Sequence, residues 1–155
     1  MREQEEFRRV SLHSYRPGKQ SLHRLTQMSR DKKTPFPFVL EELEPIRPTV
    51  KRAFGFTYIY LDGKLLCGLR QAVKLPSCNG LWLFTTTEHI DSLAREFPEL
   101  PRRYLWRSGK KAWVILASRL EFFEEYAFKA CELMLNGDRR VGRVDVRALG
   151  RLKRA

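Results

Sequence analysis

The stretch KRAFGFTYIYLDGKLLCGLR, residues 51–70, constrains the fold of this chain more than any other. Aromatic and aliphatic side chains alternate along residues 51–61, with Phe54, Phe56, Tyr58 and Tyr60 expected on one face and Ala53, Gly55, Thr57, Ile59 and Leu61 on the other. This is the two-residue period of a strand, and β-branched and aromatic residues suit a pleated surface. Asp62-Gly63 follows, a pair that adopts the positive φ angles of a two-residue hairpin turn, and KLLCGLR returns as the partner strand. A hairpin of this kind calls for an antiparallel sheet.

The flanking segments extend the pattern. Phe36, Val39, Leu40 and Leu43 recur at helical spacing after Pro35, and Pro45 and Pro48 end that helix. Gly80 opens a third strand, LWLFTT, and Thr87 is a candidate cap for a second helix with the apolar stripe Ile90, Leu93, Ala94 and Phe97. Residues 103–107 and 112–116 read as two more strands around Ser108-Gly109. Ser118 and Glu121 have capping-box spacing, which predicts a last helix from there through Met134, closed by Gly137 in the left-handed conformation. The order α-β-β-β-α-β-β-α predicts an α+β domain in which helices flank an antiparallel sheet of about five strands.

Charge divides the chain into three. The sequence has 155 residues and a formal net charge of +12. Residues 1–33 hold nine Lys or Arg against four acids, and residues 136–155 hold seven against two, so each end carries +5, whereas residues 34–135 hold fourteen against twelve. The expected organisation is a basic N-terminal arm over 1–33, a nearly neutral domain over 34–137 and a basic tail over 138–155. Met28 lies just before the globular pattern and is an alternative start. Within the tail, Arg140, Arg143, Arg147, Arg151 and Arg154 are three or four residues apart, so a helical tail would align all five guanidiniums for phosphates or an acidic partner. Gly142 and Gly150 each weaken such a helix by about 1 kcal/mol relative to Ala.

Catalytic signals are sparse. His13 and His23 fall in the arm, leaving His89, beside Glu88 and Asp91, as the one histidine of the domain and the only anchor for an enzymatic reading with a cleft there. No second histidine or matched cysteine pair completes a metal set, and no glycine-rich phosphate loop follows a strand, so no metal and no cofactor is expected. Cys67, Cys78 and Cys131 are odd in number and widely spaced, which suits reduced thiols in a cytoplasm. The apolar runs GLWLF and AWVIL are strand-sized, against the roughly 20 residues a membrane span needs, and MREQEEFRR reads as neither a secretory signal nor a transit peptide.

Arg52, Phe54, Gly55, Ile59, Tyr60, Asp62 and Gly63, preceded by PFPFVLEELEPI and followed by NGLWLFTT, carry a resemblance to the N-terminal domain of the TfoX/Sxy competence regulators. Residues 35–144 as a whole are similar to small proteins of the wider TfoX/YjbR-like group. Ala53 stands where that family has Met, and Phe56 where it has a second Gly. The resemblance implies an α+β scaffold serving as a non-enzymatic binding or regulatory module, with Arg52, Phe54, Gly55, Tyr60, Asp62 and Gly63 setting the fold. Partners consistent with it are a protein, or a second copy through a sheet face or edge, and weak nucleic-acid contact through the basic ends. The run Arg52 to Tyr58 also approaches the RNA-recognition signature, in which exposed strand aromatics stack on bases. Thr57 in place of an aliphatic residue, and the lack of a partner strand about thirty residues upstream, favour core packing for these rings instead.

Overall fold

The computed structural model describes residues 34–144. Helix α1 (Pro37–Leu43) leads into a 3-10 turn (Glu44–Ile46), and strands β1 (Thr49–Ala53), β2 (Phe56–Leu61) and β3 (Lys64–Arg70) follow. A second 3-10 turn (Pro76–Cys78) precedes β4 (Gly80–Thr86) and the short helix α2 (Ile90–Ala94). After a third 3-10 turn (Arg102–Tyr104) come β5 (Leu105–Ser108), β6 (Lys111–Ala117), the long helix α3 (Phe123–Leu135) and β7 (Arg143–Val144). All seven strands join one antiparallel sheet in the order β1-β2-β3-β4-β6-β5, with β7 paired to β3. The α+β class with an antiparallel sheet stands as expected, with two more strands than the sequence suggested.

One extra strand comes from Phe54-Gly55. Their φ angles of 53° and 79° make a second two-residue turn, so residues 51–61 are a hairpin and not one strand. The reversal pairs Ala53 with Phe56, placing them on the same face, and leaves Phe54 at the tip with 46% of its surface exposed. At Asp62-Gly63 the φ values of 50° and 78° give the hairpin turn that the sequence called for.

The other extra strand, β7, fills the gap where β3 and β4 part. Lys64 and Leu65 pair with Val144 and Arg143, and the Gly142 amide donates to the Phe84 carbonyl at 2.6 Å. Gly142, at φ 98°, lies so close to the Lys64 side chain that a Cβ there would come within 2.8 Å of it. Val141 is buried, so the folded part runs past Gly137 into residues the sequence assigned to a tail.

The helix ends follow backbone geometry more than side-chain caps. Helix α3 starts at Phe123, five residues after Ser118, because Leu120 and Phe123 donate to Ala117 and Leu120 in successive tight turns and the Ser118 amide is tied to the Asn79 carbonyl. Its first turn instead carries Glu124 and Glu125, which complement the helix dipole. Thr87 likewise does not cap α2; its amide bonds to the Lys110 carbonyl. The far end of α3 is as expected: Gly137 has φ 66°, its amide reaches Met134, and the Asp138 amide reaches Leu133, the paired bonds of a Schellman motif.

The three α-helices of the described residues lie on one face of the sheet. Cross-strand partners share a face, so Ile59, Cys67 and Leu83 form one row and Thr57, Leu69 and Leu81 the next. The Cys131 thiol of α3 raises the pKa of Cys67 and approaches the Val39 carbonyl of α1, which fixes this face as the helical one. Ile90, Leu93, Phe97, Ala127 and Ala130 are buried there. Each fully buried aliphatic or aromatic side chain contributes about 1.5–3 kcal/mol.

Candidate functional site

The opposite face of the sheet is aromatic. Phe56, Tyr58 and Tyr60 of β2, Trp82 and Phe84 of β4, Trp113 of β6 and Trp106 of β5 all point to it, since Tyr58 pairs through Gly68 to Trp82, and Phe84 pairs through Trp113 to Trp106. Phe56 stacks on Tyr58 with centroids 5.3 Å apart, inside the range of about 4.5–7 Å for favourable ring pairs, and meets Trp82 edge-on at 5.0 Å. Phe84 continues the chain to Trp113 at 6.3 Å. Gly68 lies beneath: a Cβ there would sit 3.1 to 3.4 Å from Phe56, Phe84 and Tyr58, so the absence of a side chain lets these rings close over the strand.

These rings are packed. Phe56 and Tyr58 are 3% exposed and Tyr60 is 4% exposed, which is core packing and not an open platform for stacking bases. Cations lie along the same face. The Lys51 ammonium sits over the Tyr60 ring at 5.0 Å, and the Arg143 guanidinium over Phe84 and Trp113 at 5.4 and 5.5 Å, distances at which a ring quadrupole attracts a cation.

Charge is sorted between the two layers. Lys51, Arg52, Lys64, Arg70, Arg107, Lys111 and Arg143 are the charged residues of the strands, and all are basic. Among the described residues, Glu41, Glu42, Asp91, Glu124, Glu125 and Glu132 are the acids of the α-helices, against Lys129 as their one base. A residue count over 34–135, fourteen bases against twelve acids, comes near neutrality and hides the separation.

The motif residues occupy turns and packing positions. Arg52 on β1 donates through Nη2 to the Thr34 hydroxyl at 2.8 Å, and burial lowers its pKa. Phe54-Gly55 and Asp62-Gly63 are the two hairpin turns, and Tyr60 belongs to the aromatic face. Arg70 is buried at the sheet's other end, where Nη1 donates to the Asn79 side chain and the Leu75 carbonyl and Nη2 to the Lys74 carbonyl. Desolvation lowers the pKa of Arg70, and these carbonyls hold the 71–79 loop to the strand.

Of the five tail arginines, Arg147, Arg151 and Arg154 lie outside the described residues. Arg140 and Arg143 are not on a helix: Arg140 is in a turn and Arg143 in β7. Arg140 is tied to Asp138 at 2.7 Å, to Glu96 at 3.5 Å and to the Ser92 carbonyl at 3.0 Å, so it clamps the end of α3 onto α2. These bonds raise its pKa, mainly through Asp138.

His89 sits in the turn before α2, its amide bonded to Thr86 and its carbonyl to Leu93. Among the described residues no three His, Cys, Asp or Glu side chains converge as a metal site. An open recess of about 680 Å³ lies away from His89, on the helical side, lined by Glu41, Glu42, Glu44, Pro45, Arg47 and Leu135. No helix of the described residues is long and apolar enough to cross a membrane.

No family model, curated protein or solved structure matches this chain. Its chemistry has therefore to be read from its own surfaces, and the feature that sequence reasoning missed is the basic sheet. The signal was present in the sequence: between Leu100 and Leu120 there are six Lys or Arg and no acid.

Proposed function

We propose that this chain is a non-catalytic binding or regulatory module, of the kind the TfoX N-terminal resemblance implies, that takes an anionic partner on its sheet side. The sorting of charge carries this reading, because among the described residues every charged strand residue is basic while the α-helices are acidic. A field of that shape orients an approaching anion toward one side of the domain before contact is made. Three buried thiols outside any disulfide suit the reducing cytoplasm as its place of work.

A second reading places the anionic contact on the basic ends. It draws on the +5 carried by residues 1–33 and the +5 carried by residues 136–155. Retention of the full chain on heparin, a polyanionic matrix, separates the two. With Arg147, Arg151 and Arg154 all changed to Gln, and Lys19, Lys32 and Lys33 likewise, salt-dependent retention persists if the sheet side binds. Elution in the void volume after those changes would assign the contact to the ends and overturn the sheet reading.

A further inference from the structure

We propose that the β5–β6 hairpin is a contact surface for the phosphate backbone of a nucleic-acid duplex, with Arg102, Arg103, Lys110 and Lys111 as the phosphate-contacting residues. This inference rests on the reading of the domain as an anion-binding module and names the partner and the edge it uses.

Five cations in ten residues, Arg102, Arg103, Arg107, Lys110 and Lys111, are exposed along this hairpin, and β5 is an edge strand of the sheet, at the end opposite β1. Arg107 is bonded to Asp91 of α2. Charge on an edge strand guards against edge-to-edge pairing, and Arg107 supplies that on β5 itself. The other four lie in the 3-10 turn, in the hairpin turn and at the start of β6, where edge protection does not explain them. Ser108 pairs with Lys111 at the tip, so the two clusters are separated by the length of β5, about 13 Å at 3.3 Å per residue. A duplex presents about eight phosphates over that length. A linear row of cations thus meets a linear polyanion.

The same hairpin has little to offer an acidic protein. Protein interfaces draw their affinity from aromatic or aliphatic anchors inserted into pockets. Here Tyr104, Ala112 and Val114 are buried in the domain, Leu105 and Trp106 are half-buried and packed against its core, and the fully exposed positions of the hairpin are cationic or small. Phe56, Tyr58, Tyr60, Trp82, Phe84 and Trp113 of the sheet face are buried as well and Trp106 is half-buried, so base stacking contributes little and charge density decides. A duplex carries twice the axial charge of one strand, which selects duplex over single strand.

The test is fluorescence anisotropy of the full chain with a 20-base-pair duplex and with the same-length single strand, between 50 and 200 mM salt. Four phosphate contacts from the hairpin contribute about −3.6 to the slope of log K against log salt. Lys110→Gln with Lys111→Gln, both at exposed positions, lowers that slope by about 1.8 and keeps the wild-type circular dichroism spectrum. Lys129→Gln on α3 leaves the slope unchanged. Equal slopes for wild type and the hairpin double variant would overturn the proposal, as would tighter binding of the single strand. Heparin retention without duplex binding would also overturn it while leaving the anion-binding module standing; loss of heparin retention in the chain with neutralised ends would remove both.

Discussion

The Asp138 carboxylate grips Arg140 by two oxygens: Oδ2 accepts from Nη2 at 2.7 Å and Oδ1 from Nε at 2.9 Å. Asp138 is also the residue whose amide closes the end of α3, so this pair joins the Schellman motif to α2 through the Ser92 carbonyl and Glu96. The bond from Arg140 holds the Asp138 carboxyl down to about 2. A carboxylate whose pKa is depressed on folding adds stability that is complete above its unfolded value near 4 and is lost as pH falls through the folded value. Asp138→Asn is therefore expected to lose about 1–2 kcal/mol at pH 7, after allowance for solvent screening of a partly buried pair. Urea unfolding of both forms from pH 7 to pH 2 checks this: the gap between them closes from about pH 4 downward. A gap that stays constant to pH 2 would mean that the ion pair is not its source.

Phe54 is an apolar residue in a conformation that suits Asn or Gly. At φ 53°, followed by Gly55 at φ 79°, it occupies the first central position of a turn in which left-handed backbone costs an ordinary L residue about 1–2 kcal/mol. Its ring is 46% exposed, so little burial offsets that cost. Phe54→Asn, giving Asn-Gly at the tip, raises stability by about 1 kcal/mol and the melting temperature by about 4 °C. Scanning calorimetry decides, and a lower melting temperature would show that the exposed ring is held by a contact worth more than the backbone gain.

The same residue explains what the sequence could and could not disclose. Asp62-Gly63 is legible because both residues favour positive φ, and the structure turns there. Phe54-Gly55 is not, because the alternation of aromatic residues runs on through the turn and Phe carries no turn preference. Strand β7 is two residues long, below any periodicity, and depends on a gap that only the splaying of β3 and β4 creates. Ser118 and Glu121 have the spacing of a cap, but the Asn79 carbonyl takes the Ser118 amide and moves the helix start to Phe123. The basic sheet was written in the sequence yet cancelled in a sum over residues, because the acids that balance it sit on the helices. A charge count has to be taken by element, and that requires the elements first.

Gly80 is where the sheet tolerates no side chain. At φ 142° a Cβ would fall 2.1 Å from the Leu116 carbonyl oxygen and 2.9 Å from the Ala117 Cα, both backbone atoms of the neighbouring strand β6. Backbone in the middle of a sheet cannot move aside as a flexible side chain can, so Gly80→Ala destabilises by about 3 kcal/mol or more. Gly109→Ala is the comparison, since Gly109 also has positive φ, 61°, but opens onto free space. It costs about 1 kcal/mol, the backbone term alone. Similar losses for both variants in chemical denaturation would show that conformation and not the close approach to β6 governs Gly80.

The three thiols report on the integrity of the core. Cys67, Cys78 and Cys131 are all buried and outside any disulfide. Burial pushes the Cys131 thiol up to about 12, with the Glu42 carboxylate adding to the shift, and pushes Cys67 up too, with Cys131 adding to it. At pH 8 a thiol with a pKa of 12 is ionised in only about one molecule in ten thousand, and the thiolate is the reacting species. Reaction with a chromogenic disulfide at pH 8 is therefore slow in the native protein and limited by opening of the fold, whereas three thiols react at once in denaturant. Cys131 lies between α1 and α3 and Cys67 on the sheet beneath, so the two lose protection together if the helical layer lifts as a unit. Alkylation followed by peptide mapping separates the sites. Modification of Cys131 well before Cys67 would show instead that α1 and α3 part from each other while the sheet stays covered.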